Sequence, residues 1–215
     1  MAKPSAVVRK SVIVLVGLLL VVLGALAVFT WYCDWSVRAD RSEQVRNLPG
    51  DELIPNPLGS VTHSITIQRS PRDVWPWLVQ MGSDRAGWYA YDLIDNGGRP
   101  SAERILPEFQ KVDVGTVFPA LPGVKDVFVL VRCDPLHCLV LAWRSPDGAY
   151  RTTWAFVLEQ PEPGRTRLIV RGRVAPGYHP YGLPQWLAEL TAPRAHAIME
   201  RKQLLGIKRR AEAAP

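Results

Sequence analysis

From Ser11 to Cys33 the chain carries no charge, and Val12 to Phe29 is almost wholly Val, Leu, Ile, Ala and Gly. No other feature limits the fold so strongly, because such a run has few stable places to go. A helix rises about 1.5 Å per residue, so about 20 apolar residues cross a hydrocarbon layer roughly 30 Å thick. A helix also satisfies its own backbone N–H and C=O groups where no water can do so. Residues 11–33 therefore read as one transmembrane helix after a short basic N-terminus at 1–10. Trp31 and Tyr32 at its end suit a membrane interface. A cleaved signal peptide is the competing reading, since "ALA" at Ala25–Ala27 follows an apolar stretch. Lys3, Arg9 and Lys10 precede the run, and Arg38, Arg41 and Arg46 come after it. The first three lie closer, which puts the N-terminus inside and the remaining chain in an extracytoplasmic position, on a single-pass membrane protein.

In a chain of 215 residues, the part beyond this helix suits one domain of ordinary size. Residues 34–60 mix charges with Pro49, Gly50, Pro55, Pro57 and Gly59, and read as a juxtamembrane linker ending in extended chain. The domain then occupies 61–210, with a tail at 211–215. Val61 to Gln68 alternates apolar and polar side chains as a half-buried strand does. Ser70, Pro71 and Asp73 signal a helix start, and Val74, Trp77, Leu78 and Met81 recur at helical spacing behind it. Ser101 is placed to cap a short helix through Ile105. Strand-like runs lie at Val127–Arg132, Cys138–Arg144, Tyr150–Glu159 and Arg165–Val174, separated by hairpin-length gaps rich in turn residues. In the last run Leu168, Val170 and Val174 share one parity and Arg167, Arg171 and Arg173 the other, so one face reads as core and the other as water-facing. After "GYHPYGLP" a helical stretch spans about Gln185 to Glu212, with Pro193 expected to break or kink it.

Five large rings crowd one short stretch: Trp75, Trp77, Trp88, Tyr89 and Tyr91. Beside Asp92, Asp95 and Asn96 they suggest a pocket wall with an apolar body and a few polar handles. The blocks "RSPRDVWPWLVQMG", "GWYAYDLIDN", "PSAERILPE" and "MERKQLLGIKRR" resemble the SRPBCC superfamily, the START-like or polyketide cyclase/dehydrase-like group, from about Leu53 to Arg210. The resemblance implies an α+β helix-grip fold: a curved antiparallel sheet wrapped on a long C-terminal helix, here preceded by one transmembrane helix. It also implies a hydrophobic ligand cavity. Members of that group include lipid carriers, hormone binders and cyclases, so fold alone assigns no activity.

The chemistry-bearing residues exclude several classes. Ser60, Ser64 and Ser70 have no nucleophile-elbow pattern around them. His63, His137, His179 and His196 show no paired spacing, and neither a metal nor another cofactor is expected. "NGG" lacks the lysine and helix of a phosphate loop. The net charge of +6 comes from scattered arginines without a nucleic-acid fingerprint, so it fits an anionic leaflet better than nucleic acid. Cys133 and Cys138 bracket "DPLH" between two strands; a hairpin disulfide and two free thiols both remain open.

Acid and base candidates are Asp92, flanked by Tyr91 and Leu93, and His196, one helical turn from Glu200. The plainer readings are a turn cap or an Arg99 or Arg104 partner for Asp92, and an exposed neighbouring pair for His196 and Glu200. Trp77, Trp88, Tyr91, Trp143 and Trp154 are expected to line the cavity, with Asp92 and Arg99 as polar contacts. The leading expectation is a membrane-anchored protein that binds or carries a hydrophobic small molecule or lipid. Its alternatives are a cyclase or dehydratase using Asp92 or His196 as base, and a tethered protein-interaction module.

Overall fold

A computed structural model of the chain describes residues 6–123, 127–178 and 184–213. In chain order the elements are α1 (Ala6–Ser36), α2 (Arg41–Val45), β1 (Gly59–Ile67), α3 (Pro71–Val79), α4 (Asp92–Asp95), β2 (Val117–Pro119), β3 (Val127–Asp134), β4 (Cys138–Arg144), β5 (Tyr150–Glu162), β6 (Arg165–Val174) and α5 (Gln185–Ala213). The strands form one antiparallel sheet in the order β1-β6-β5-β4-β3-β2, with α5 packed on it. Lys3 and part of "GYHPYGLP", including His179, lie outside the described residues.

The sheet's register explains its packed face. Side chains alternate along a strand, so every second residue enters the same layer. Across β1, β6, β5 and β4 the successive inner rows hold Ile65, Leu168 and Leu158; then His63, Val170, Phe156 and Leu139; then Val61, Gly172, Trp154 and Leu141; then Val174, Thr152 and Trp143. Four helical residues and two strand residues both advance about 6 Å. α5 therefore descends about one turn per row: Glu200 faces His63, and Lys208 donates to the Thr66 carbonyl at 2.6 Å. By the same step α5 outruns the sheet, and its turns N-terminal to His196 project past the last row with Trp186 and Thr191–Ala195 exposed.

Local signals account for the helices. Both the backbone N–H and the hydroxyl of Ser70 donate to the Asp73 carboxylate, and Pro71 occupies the first turn of α3, where a missing donor costs nothing. α1 runs through the apolar segment without break, and its apolar stretch is uncovered by the rest of the protein. It is long and apolar enough to cross a membrane. Pro193 does not divide α5, which is a single helix with the proline inside it. Residues 101–105 form no helix; a 3-10 turn stands just beyond them at Pro107–Phe109.

One expectation fails: the face of β6 bearing Arg167, Arg171 and Arg173 is not turned to water but largely covered, by residues 37–54 within the segment 34–60, where α2 lies. The arginines bind that segment instead. Arg171, 2% exposed, donates to the Glu43, Gln44 and Arg46 carbonyls at 2.6, 2.9 and 2.8 Å and to the Asp51 carboxylate at 2.6 Å. Arg167 donates to both Glu43 oxygens, and Arg173 pairs with Asp51 at 2.8 Å. Asp40 caps α2 in a reciprocal box with Glu43. Buried ionised groups persist only when paired and hydrogen-bonded, a condition these arginines meet through backbone carbonyls that a flexible linker would leave to solvent.

The two sheet cysteines divide between the faces. Cys133 packs against the inner core, whereas Cys138 joins Leu48, Val157 and Ile169 on the outer face; both thiols are free.

Candidate functional site

The inner face has a closed end and an open one. Near the C-terminus of α5, Ile67, Leu78, Met81, Leu139, Phe118, Leu168, Leu204 and Ile207 are fully buried and touch one another. Interiors of this kind pack at crystal-like density and leave no room for a guest. The hollow expected from the family resemblance is therefore not at this end.

Further along, the core gives way to stacked rings. Trp88 lies on Trp154 with ring centroids 5.3 Å apart, Phe128 meets both, and Phe156 lies 5.0 Å from Trp154. Trp88 is fixed by its indole N–H, which donates to the Pro119 and Ala120 carbonyls at 3.2 and 3.0 Å. Trp88 and Phe156 are buried, but the other rings at this end are only half-buried: Phe128 and Trp154 in the stack, then Trp143 and, edge-on to it at 5.7 Å, Tyr178. We call this open end the mouth. Gly172 falls in the inner parity of β6 where a side chain belongs, and the space goes to His196: a β-carbon there would sit 3.5 Å from the imidazole Nε2.

Beneath the mouth runs a chain of acid and base groups. His196 Nε2 is 3.3 Å from Glu200 Oε1, which also accepts from the Trp154 indole N–H at 2.8 Å. The other Glu200 oxygen makes a short hydrogen bond to His63 Nδ1, and His63 Nε2 reaches Asp34 at 3.2 Å. Glu200 and His63 are 1% and 0% exposed. Burial alone pushes Glu200 upward, but the two imidazoles outweigh it and hold the carboxyl down at about 2. Burial likewise presses His63 downward, and the Glu200 and Asp34 carboxylates overcome it to raise the imidazole above its ordinary 6.5. The result is a buried anion flanked by imidazoles, with His196 as the member that reaches the half-open rings.

The expected site residues divide. Trp88, Trp154 and His196 come together, and Trp143 stands at the next row. Trp77 is buried elsewhere, edge-on to Tyr89 at 6.0 Å. Tyr91 caps α4, with the Lys202 ammonium 6.0 Å over its ring. Asp92 accepts from both the backbone and the hydroxyl of Ser101, as in its plainer reading of a turn-forming group. Arg99 is exposed and pairs with Asp84. Glu200 is no exposed neighbour of His196 but the centre of the network. His63, Asp34 and Gly172 escape a reading by spacing, since His63 and Glu200 stand 137 residues apart. The one available signal is the glycine in the Leu168, Val170, Val174 parity. Among the described residues no group of His, Cys, Asp and Glu is arranged to hold a metal ion.

Two surface depressions, of about 480 and 310 Å³, lie beside Ser70 and His137 and beside Trp77 and Arg209; neither touches Trp88, Trp143 or Trp154.

No family model and no curated protein matches the chain. Among solved structures, it is similar to a polyketide-cyclase-like protein of Corynebacterium glutamicum, at 20% identity over 73% of this chain and 92% of that one, with a TM-score of 0.44. A protein of Mesorhizobium loti matches at 16% identity, 73% and 99% coverage and a TM-score of 0.44. The Aha1 dimer of Colwellia psychrerythraea matches at 17% identity, 70% and 98% coverage and a TM-score of 0.41. The six-stranded antiparallel sheet with the long C-terminal helix packed on it is the α+β helix-grip layout expected from the sequence.

Proposed function

We propose that the protein is a membrane-tethered binding domain for a hydrophobic small molecule, with α1 as the tether and the mouth as the binding site. One observation carries this reading. The inner face is sealed at one end and left with half-buried rings at the other, where Phe128, Trp143, Trp154 and Tyr178 stand and His196 lies 6.0 Å from the Trp154 ring. Apolar sites with a few convergent polar groups are the usual form of small-molecule pockets. Aromatic walls supply most of the contact, and His196 offers a hydrogen bond to one polar atom of the guest. The tether suits a guest that partitions into lipid. Native mass spectrometry of the full chain released from detergent tests the reading: a small apolar adduct is expected on the wild type and absent from Trp154→Ala. A wild type that carries no adduct, and whose tryptophan emission is unmoved by lipid extracts, would refute it.

A second reading rests on the acid–base chain. His196 beside a buried carboxylate has the orientation of a general base, which a cyclase or dehydratase would use on a bound carbonyl compound. Turnover of such a compound, lost in His196→Gln while binding persists, would select this reading over carriage alone.

A further inference from the structure

α4 inverts the usual polarity of a surface turn. Leu93 and Ile94 are 85% and 64% exposed, while Asp95 beside them is buried, its carboxyl pushed up by that burial. Single exposed leucines are ordinary, but two in a row on one short turn, above a buried acid, are not. The turn is also rigidly built. Asp92 accepts twice from Ser101, Asp95 accepts from the Tyr91 N–H at 3.1 Å, and the Asn96 amide donates to the Arg99 carbonyl at 2.7 Å. Ordering a turn so as to display two aliphatic side chains to water is unfavourable unless something covers them.

Position says what covers them. Gly97 abuts Pro122, just past the end of β2, and Trp88 ahead of α4 bonds to Pro119 and Ala120. α4 thus belongs to the rim of the mouth, the end beyond which α5 projects with Trp186 exposed. Arg144, exposed on the ring of Tyr150 with its guanidinium 4.1 Å from the centroid, adds a cation to the same end. Lys202 of α5 lies over Tyr91, and its neighbour Arg201 donates to Ser36 and Tyr32 of α1 at 2.8 and 3.3 Å. The apolar helix and the apolar rim are therefore held against consecutive residues of one rigid element.

We infer that Leu93 and Ile94, with Trp186, form a second bilayer contact that seats the rim of the mouth in the headgroup region, so that an apolar guest passes between lipid and site without crossing water. The inference rests on α1 being the tether. Aliphatic and aromatic side chains of peripheral segments settle about 5–10 Å into the headgroup and acyl boundary, aided by nearby cations. Acyl chains are the occupant that matches Leu and Ile without any polar complement.

The test places an environment-sensitive fluorophore on Leu93→Cys, Leu20→Cys and Val45→Cys in the full chain. The proteins are reconstituted in nanodiscs of phosphatidylcholine and phosphatidylglycerol, and the unsubstituted chain, treated alike, gives the background from native thiols. All three positions are exposed in the protein, so the labels do not threaten folding. Quenching by brominated lipid is expected to be deep at the Leu20 label, shallow but clear with blue-shifted emission at the Leu93 label, and absent at the Val45 label on α2. A Leu93 label as water-exposed as the Val45 label, with the Leu20 label quenched, overturns the rim contact and leaves the tether standing. An unquenched Leu20 label removes the tether itself, and the inference with it.

Discussion

Both faces of the sheet are covered, but by opposite chemistry. The inner face is packed, at its closed end, by aliphatic and aromatic side chains under α5, where stability comes from apolar area withdrawn from water. The outer face is sealed by Arg167, Arg171 and Arg173, which hold residues 37–54 through carbonyls and carboxylates. An apolar contact tolerates small displacements, whereas a guanidinium satisfied by three carbonyls and a carboxylate admits one placement of the partner segment. The outer face thus fixes where the chain goes after α1, and the inner face supplies the core.

That contrast is open to attack at three points. Arg171→Ala has the largest expected effect, because it removes one of the two guanidinium partners of buried Asp51 and leaves three backbone carbonyls unanswered. The expected loss is about 3–5 kcal/mol, read by urea denaturation, and loss of protection for residues 37–54 in hydrogen exchange should accompany it. A loss below about 1 kcal/mol would show that the outer face is ornamental to stability. Next comes Gly206→Ala on the inner face. A β-carbon there would collide with the Tyr89 carbonyl, on a residue whose φ of 61° leaves its backbone little freedom to retreat. Forcing α5 away should cost about 1–3 kcal/mol, seen in the same denaturation assay. Gly172→Ala, whose β-carbon meets only ordinary contacts, serves as its control.

The smallest effect is a slope with pH, and it separates the faces cleanly. His63 has a raised folded value, so its contribution is complete below 6.5 and is lost as pH rises through that higher value. Glu200 is depressed to about 2, so its contribution is present above its ordinary 4.5 and fades as pH falls toward 2. Glu43 on the outer face is also held low: burial works against it, but Arg167, the Asp40 N–H and the Ser64 hydroxyl prevail. Acid therefore weakens both faces, and mild alkali the inner one alone. Stability measured across pH 6 to 9 should fall in the wild type and stay flat in His63→Gln; equal slopes would show that the buried imidazole is not linked to folding.

Much of the fold could be read before the structure, and the failures have a common origin. Strands β3 to β6 are legible because alternation and turn residues are local signals, and α3 because Ser70, Pro71 and Asp73 announce it. Pro193 misleads, since α5 carries the proline within it, in the exposed stretch Thr191–Ala195. The arginine parity of β6 reads as solvent because its partners, Glu43 and Asp51, stand more than 100 residues away. The candidate site suffers likewise. Trp88, Trp154 and His196 are found by residue type, but the Asp34, His63 and Glu200 chain joins three distant elements, and no spacing along the chain foretells it.

The folded segment after α1 has a mechanical consequence. With Val37 to Ile54 laid directly on the sheet and Asp34 bonded to His63, there is no slack between the apolar helix and the domain. Such a domain cannot roam like a bead on a string. Each roll or lean of the helix must be transmitted to it whole, so the direction in which Trp143 and Trp154 look is steered by how α1 sits.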